Sequence, residues 1–114
     1  MTEFEQIDAQ RAKTLIDQGA ALADIRDPES FSRAHIPGAV HLDNSNLQQF
    51  VEESDLDLPL VVYCYHGLSS QSAAQFLISR GFEEVYSLAG GFEGWQQQFP
   101  QHCQQAQHPD REQP

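Results

Sequence analysis

Cys64 and the six residues after it carry the types and spacing most suited to chemistry. The stretch Cys64-Tyr65-His66-Gly67-Leu68-Ser69-Ser70 combines a nucleophile, a glycine hinge and two small hydroxyl residues. A thiol is a useful nucleophile only as its thiolate, so its surroundings must favour the negative charge. Backbone N–H groups aimed at the sulfur would do this, helped by the positive end of a helix dipole. Gly67 permits a turn that a side chain would forbid. Ser69 and Ser70 are natural N-caps for a following helix. The loop amides from Tyr65 to Ser70 are therefore expected to line a pocket at Cys64. The bland alternative is a buried, inert cysteine at a strand end.

The flanking sequence explains how such a loop would be placed. Leu60 to Tyr63 is apolar on both alternations, as in a strand buried on both faces of a parallel sheet. Ala73, Ala74, Phe76, Leu77 and Ile78 follow a helical face, and Gly81 suits the stop. Cys64 thus falls between a strand and a helix.

This loop resembles the active-site loop of the single-domain rhodaneses, the thiosulfate sulfurtransferases. Asp24-Ile25-Arg26-Asp27-Pro28-Glu29-Ser30-Phe31 and Ala34-His35-Ile36-Pro37-Gly38-Ala39-Val40-His41-Leu42 are similar to the family's N-terminal signature. Gly90-Gly91-Phe92-Glu93-Gly94-Trp95, closed by Phe99-Pro100, is similar to its C-terminal one. The likeness runs from Phe4 to Pro100, with three motifs in order. Leu68 stands where Asn is expected, which alters a side chain but not its amide. The resemblance implies a rhodanese-like three-layer α/β sandwich with a mostly parallel central sheet. It implies Cys64 as the catalytic residue, and thiosulfate as donor of a sulfur that Cys64 carries as a persulfide. Cyanide or dithiols, reduced thioredoxin among them, would be the acceptors, and no cofactor is implied. Many rhodanese loops carry basic residues where this chain has Tyr65 and Ser69.

Other chemistry is less well supported. Cysteine phosphatases and arsenate reductases need an Arg six residues after the Cys to clamp a dianion. Ser70 holds that position here, and Gln71 follows. A non-catalytic rhodanese-like binding module would usually lack the Cys. A persulfide relay fed by a protein donor remains an alternative. Cys64 and His66 are too few ligands for a metal site. His66 is read as lining the loop, because a base is less needed where amides stabilise the thiolate. Asp24 and Arg26 either orient the rim of the site or form a structural ion pair with each other or with Glu29. His35 is read as bracing its turn, Trp95 and Phe92 as core, and Glu52, Glu53, Asp55 and Asp57 as a solvated edge. Cys103 is read as an incidental thiol.

The rest of the chain reads as alternating strands and helices, the signature of an α/β fold. Strands are expected at Phe4–Ile7, Ala21–Ile25, Ala39–Leu42, Leu60–Tyr63 and Glu84–Leu88. Helices are expected after Asp8, after Asp27, after Asn44 or Ser45, after the Cys64 loop, and after Gly90-Gly91. In such sheets ligands bind at the carboxyl ends of strands, where Cys64, Arg26 and Asp27 can meet. With 114 residues, the chain reads as one domain over 1–100 and a disordered tail over 101–114. A net charge of −11 argues against nucleic acid or anionic membranes as partners. Two cysteines at unrelated positions make no disulfide framework, and no leader or spanning segment is read, so a cytoplasmic setting is expected.

Overall fold

The computed structural model describes residues 2–104. Its five strands are β1 (Glu5–Ile7), β2 (Ala21–Asp24), β3 (Val40–His41), β4 (Leu60–Tyr63) and β5 (Val85–Leu88). They form one parallel sheet in the order β1-β5-β4-β2-β3. The helices are α1 (Ala9–Asp17), α2 (Pro28–Arg33), α3 (Leu47–Glu53), α4 (Ser69–Ser79) and α5 (Gly91–Gln98).

The apolar run of β4 lies at the centre of the sheet, and its period of two explains the layers. Val61 and Tyr63 face a cluster that includes Ala12 and Leu15 of α1 and Phe92 and Trp95 of α5. Leu60 and Val62 face the opposite cluster, with Val51 of α3 and Ala74 and Leu77 of α4. All four β4 side chains are fully buried. Each contributes roughly 1.5–3 kcal/mol relative to exposure. Helices therefore cover both faces, giving the three-layer sandwich.

Local signals set the helix ends. Asp8 caps α1, its carboxylate accepting from the Arg11 N–H at 2.8 Å. Asp27 caps α2, with Pro28 at the first helical position and Ser30 N–H donating to it at 3.0 Å. Gly81 follows α4 with φ +110° and ends it. The start of α3 differs from expectation. Neither Asn44 nor Ser45 caps it. Asn46 occupies the cap position, but its side-chain oxygen accepts from Asp43 N–H at 2.8 Å instead. A backward bond to the Asp43 amide has taken the side chain that would have capped the helix.

The described chain continues a few residues past Pro100. A short 3₁₀ turn spans Pro100–His102. Trp95 Nε1 donates to the His102 carbonyl at 2.9 Å. Gln104 pairs with His35 through reciprocal backbone bonds of 2.8 and 2.7 Å. Gln101 to Gln104 therefore dock on the domain, held by backbone groups, one indole N–H and the packing of Cys103 against the core. The rest of the expected tail, residues 105–114, lies outside the described residues. Among the described residues, no helix is long and apolar enough to cross a membrane.

Candidate active site

Strand order determines where a site can form. After β4 the chain turns through α4 to β5 on one side. After β2 it turns through α2 to β3 on the other. The connections part between β2 and β4, and a crevice opens at their carboxyl ends. Cys64 follows β4 there, and Arg26 follows β2.

Cys64 is only 7% exposed, and its sulfur is surrounded by donors. Gly67 N–H donates to Sγ at 3.2 Å, and Ser70 N–H at 3.3 Å. The Ser70 Oγ lies 3.4 Å from Sγ. Ser70 Oγ in turn lies 2.8 Å from Ser87 Oγ on β5. Burial pushes the Cys64 thiol up. Hydrogen bonds from the Ser70 hydroxyl and from the amides of Ser70, Gly67 and His66 outweigh it, so the thiol lies below its ordinary value. Among the described residues, hydrogen-bond donors and not a cation stabilise the charge on sulfur.

The amides of Tyr65, Leu68 and Ser69 make no hydrogen bond to Sγ among the described residues. Ser69 and Ser70 also differ from expectation, since neither caps α4. Leu68 holds the cap position, and no side chain caps the helix. Ser70 is drawn instead into the interior, fully buried, by its contacts to Cys64 and Ser87. Tyr65 and Leu68 are exposed on the loop, Leu68 at 74%.

The loop is held from behind by α5. Phe92 N–H donates to the Cys64 carbonyl at 2.8 Å, and Glu93 N–H to the Tyr65 carbonyl at 3.1 Å. These bonds tie the carbonyls away from the sulfur. Gly91 makes the approach possible. A Cβ there would sit 2.5 Å from the Tyr65 carbonyl carbon, and its φ is +58°. Gly67 is restricted likewise, with φ +93° and a hypothetical Cβ 2.8 Å from the Gly90 nitrogen. His66 Nδ1 pairs with Glu93 at 2.8 Å, which fixes the loop rim to α5.

Asp24 and Arg26 form an ion pair with each other, Nη2 to Oδ2 at 2.7 Å, and not with Glu29. Glu29 pairs with Arg33 instead. Asp24 is fully buried and also accepts the Arg26 backbone N–H at 2.9 Å. Burial pulls the Arg26 guanidinium down, but Asp24 more than offsets this and leaves it raised. Arg26 also donates to the Ala34 carbonyl at 2.6 Å and stacks over Phe92 at 4.3 Å. It thus braces β2 against α2 and α5. One edge of it reaches a cleft of about 410 Å³, shared with Asp27, Arg33, Tyr65, Phe92 and Gln96. His35 bonds the Phe31 carbonyl at 2.8 Å and stacks on the Phe31 ring, as its bracing role requires. Trp95 and Phe92 are core. Among the described residues, no group of three or more His, Cys, Asp or Glu could hold a metal.

Two contributors to the site escaped the sequence reading. Ser87 was hidden within a strand, and its one signal is a small polar residue among the larger Val85, Tyr86 and Leu88. Glu93 was read only as part of a motif, and nothing local points it at His66.

A central parallel sheet with a cysteine loop at the carboxyl end of its middle strand, closed by a glycine-led helix, defines the class. Residues 8–98 match the rhodanese-like domain, and the chain belongs to that family. It is 55% identical over 101 residues to thiosulfate sulfurtransferase GlpE of Pseudomonas syringae pv. syringae, covering 89% of this chain and 95% of that protein. It is 56% identical over 100 residues to thiosulfate sulfurtransferase GlpE of Ectopseudomonas mendocina, covering 88% of this chain and 92% of that one. The solution structure of the rhodanese-like domain of Alr3790 from Anabaena superposes with a TM-score of 0.76 at 24% identity, over 96% of this chain and 83% of that one. That structure is similar in fold.

Proposed function

We propose that this rhodanese-like domain is a thiosulfate sulfurtransferase working through a persulfide on Cys64. The observation that carries the reading is the Cys64 sulfur receiving N–H donors from both Gly67 and Ser70. The thiolate attacks the outer sulfur of thiosulfate. A new S–S bond forms, the S–S bond of thiosulfate breaks, and sulfite leaves with the electron pair. The terminal sulfur then bears the charge, and the amide-rich loop that already supplies the Gly67 and Ser70 N–H groups would stabilise it as an oxyanion hole stabilises oxygen. Cyanide takes that sulfur as thiocyanate and returns the thiolate, so the cycle is covalent and ping-pong. A dithiol, reduced thioredoxin being the suggested one, is the proposed physiological type of acceptor. The reducing chemistry this requires, and the two unpaired thiols, support a cytoplasmic setting.

Intact mass spectrometry after incubation with thiosulfate tests the reading. The protein should gain one sulfur atom at Cys64, and cyanide should remove it. A Cys64→Ser variant that still gains the sulfur and releases sulfite would overturn the assignment.

A further inference from the structure

Ser87 has no evident business in β5. Its neighbours Val85 and Leu88 are buried and apolar, and Tyr86 buries its ring while its hydroxyl bonds Glu84. Ser87 itself is fully buried. A hydroxyl so placed must find a partner or cost free energy. Its strand parity turns it toward α4, on the same face as Val62, with which it is in register. Cys64 lies two residues further along that face. Ser70 Oγ sits between them, 2.8 Å from Ser87 Oγ and 3.4 Å from Cys64 Sγ. The three groups form a chain from the sheet to the sulfur.

We propose that Ser87 is a positioning residue for the sulfur chemistry, fixing the Ser70 hydroxyl so that it donates to Cys64 whenever the sulfur carries charge. This rests on the reading of Cys64 as the nucleophile. A hydroxyl has one proton and two lone pairs. When Cys64 is a thiol, its S–H donates to Ser70, and Ser70 donates onward to Ser87. When the sulfur is charged, the chain reverses: Ser87 donates to Ser70, and Ser70 donates to the sulfur. Without Ser87, the Ser70 hydroxyl is free to bond back to a carbonyl of its own helix turn, as helical serines do. The charged side chains on the flanking elements pair among themselves, His66 with Glu93 and Asp24 with Arg26. The two hydroxyls are therefore the side-chain groups whose orientation follows the charge on sulfur.

Absorbance of the Cys64 thiolate against pH, in a Cys103→Ser background, reads this directly and needs no turnover. Ser87→Ala should raise the midpoint by roughly half a unit to one unit, the worth of one hydrogen bond. Persulfide formation below the midpoint should slow by roughly threefold to tenfold in parallel. In a Ser70→Ala background, Ser87→Ala should change neither quantity, because its effect passes through Ser70. A purely structural role predicts a lower melting temperature with an unmoved midpoint, and that result overturns the proposal. So does an effect of Ser87→Ala that persists in full without Ser70. Should Ser87→Ala fail to fold, Ser87→Thr is compared with its isostere Ser87→Val. A lower midpoint in the Thr variant supports the proposal, and equal midpoints overturn it. Loss of sulfur uptake with a normal midpoint would instead count against the reading of Cys64 as the nucleophile.

Discussion

Cys64 and Cys103 are both set into the fold, but among the described residues only Cys64 meets hydrogen-bond donors. Its sulfur receives two amide N–H groups and faces a hydroxyl. Cys103 lies against the core below Phe99, and its sulfur faces a carbonyl at 3.7 Å. A carbonyl can only accept, so it favours the protonated thiol. Burial pushes Cys103 up, and the charge of Arg26 does not reverse that. At Cys64 burial acts in the same direction and is outweighed. Covering a thiol therefore does not decide its reactivity. The direction of the dipoles around it does, and that direction is set by the backbone course from β4 into α4 and by the grip of α5 on the loop carbonyls.

The largest effect should come from exchanging the two sulfurs for oxygen in turn. Cys64→Ser should abolish sulfite release from thiosulfate. Cys103→Ser should leave turnover and the sulfur adduct unchanged. Loss of activity in Cys103→Ser, in a protein that melts normally, would break the contrast.

The same contrast has a pH signature. A thiol with a lowered midpoint is ionised at lower pH, so persulfide formation should rise with pH and level off early. Its half-point should lie below the reference value of 9.0. Below that half-point the rate should fall about tenfold per pH unit, following the thiolate fraction. Stopped-flow sulfite release across pH measures it. A half-point above 9.0 would mean that burial wins at Cys64 as it does at Cys103.

Gly91→Ala tests the scaffold behind the loop. The added methyl meets the Tyr65 carbonyl carbon at 2.5 Å, and φ is +58°, so backbone must shift. Stability should fall by on the order of 3 kcal/mol, with turnover falling too as the Phe92 and Glu93 bonds open. Melting curves and steady-state rates decide it. An unaltered melting temperature would show that the loop does not depend on close contact with α5.

At the Cys103 end, two truncations separate docked chain from the rest. Ending the chain at Pro100 strips the Trp95 indole of its acceptor and removes the pairing with His35. A buried N–H left unpaired costs about 1–3 kcal/mol. That corresponds to a melting temperature lower by roughly 4–8 °C for each kcal/mol in a domain of this size. Ending it at Gln104 should change nothing, since Gln105 to Pro114 carries no apolar face. A large loss from the second truncation would show that the distal residues dock as well.

Much of this was legible in the sequence. The unbroken apolar run of β4 places it centrally, and the Asp8, Asp27 and Gly81 signals mark helix ends where they stand. The Cys64 loop was readable because strand, glycine and helix follow one another locally. What escaped depends on distant contacts. Ser87 meets Ser70 across 17 positions. The docking of Gln104 depends on His35, far earlier in the chain. Ser70 has the composition of a cap, but its hydroxyl is claimed by the interior. Local propensity cannot anticipate a competing tertiary partner.

The smallest effect should come from adding what the Cys64 loop lacks. It stabilises negative charge with dipoles, while Tyr65 and Ser69 stand where related loops carry cations. A helix terminus contributes roughly 0.3–1 kcal/mol to a nearby exposed charge. A charge-assisted hydrogen bond could add about 1–3 kcal/mol. The net charge of −11 further opposes a dianion, though only within about 10 Å at ordinary salt. The unmodified protein should therefore saturate with thiosulfate only toward or above ~1 mM, the upper end for enzymes. Ser69 is exposed at the first turn of α4 and caps nothing, so it can be replaced without loss of a cap. Ser69→Arg should lower KM by roughly tenfold, equivalent to about 1.4 kcal/mol. That KM should then rise with added salt, while the KM of the unmodified protein responds less. Cys103, whose sulfur faces the Phe99 carbonyl, should stay unreactive in the same variant. Micromolar saturation of the unmodified protein would sink the argument. The cleft beside the loop, with Arg26 and Arg33 on its walls, would then be supplying the positive charge that the loop itself does not contain.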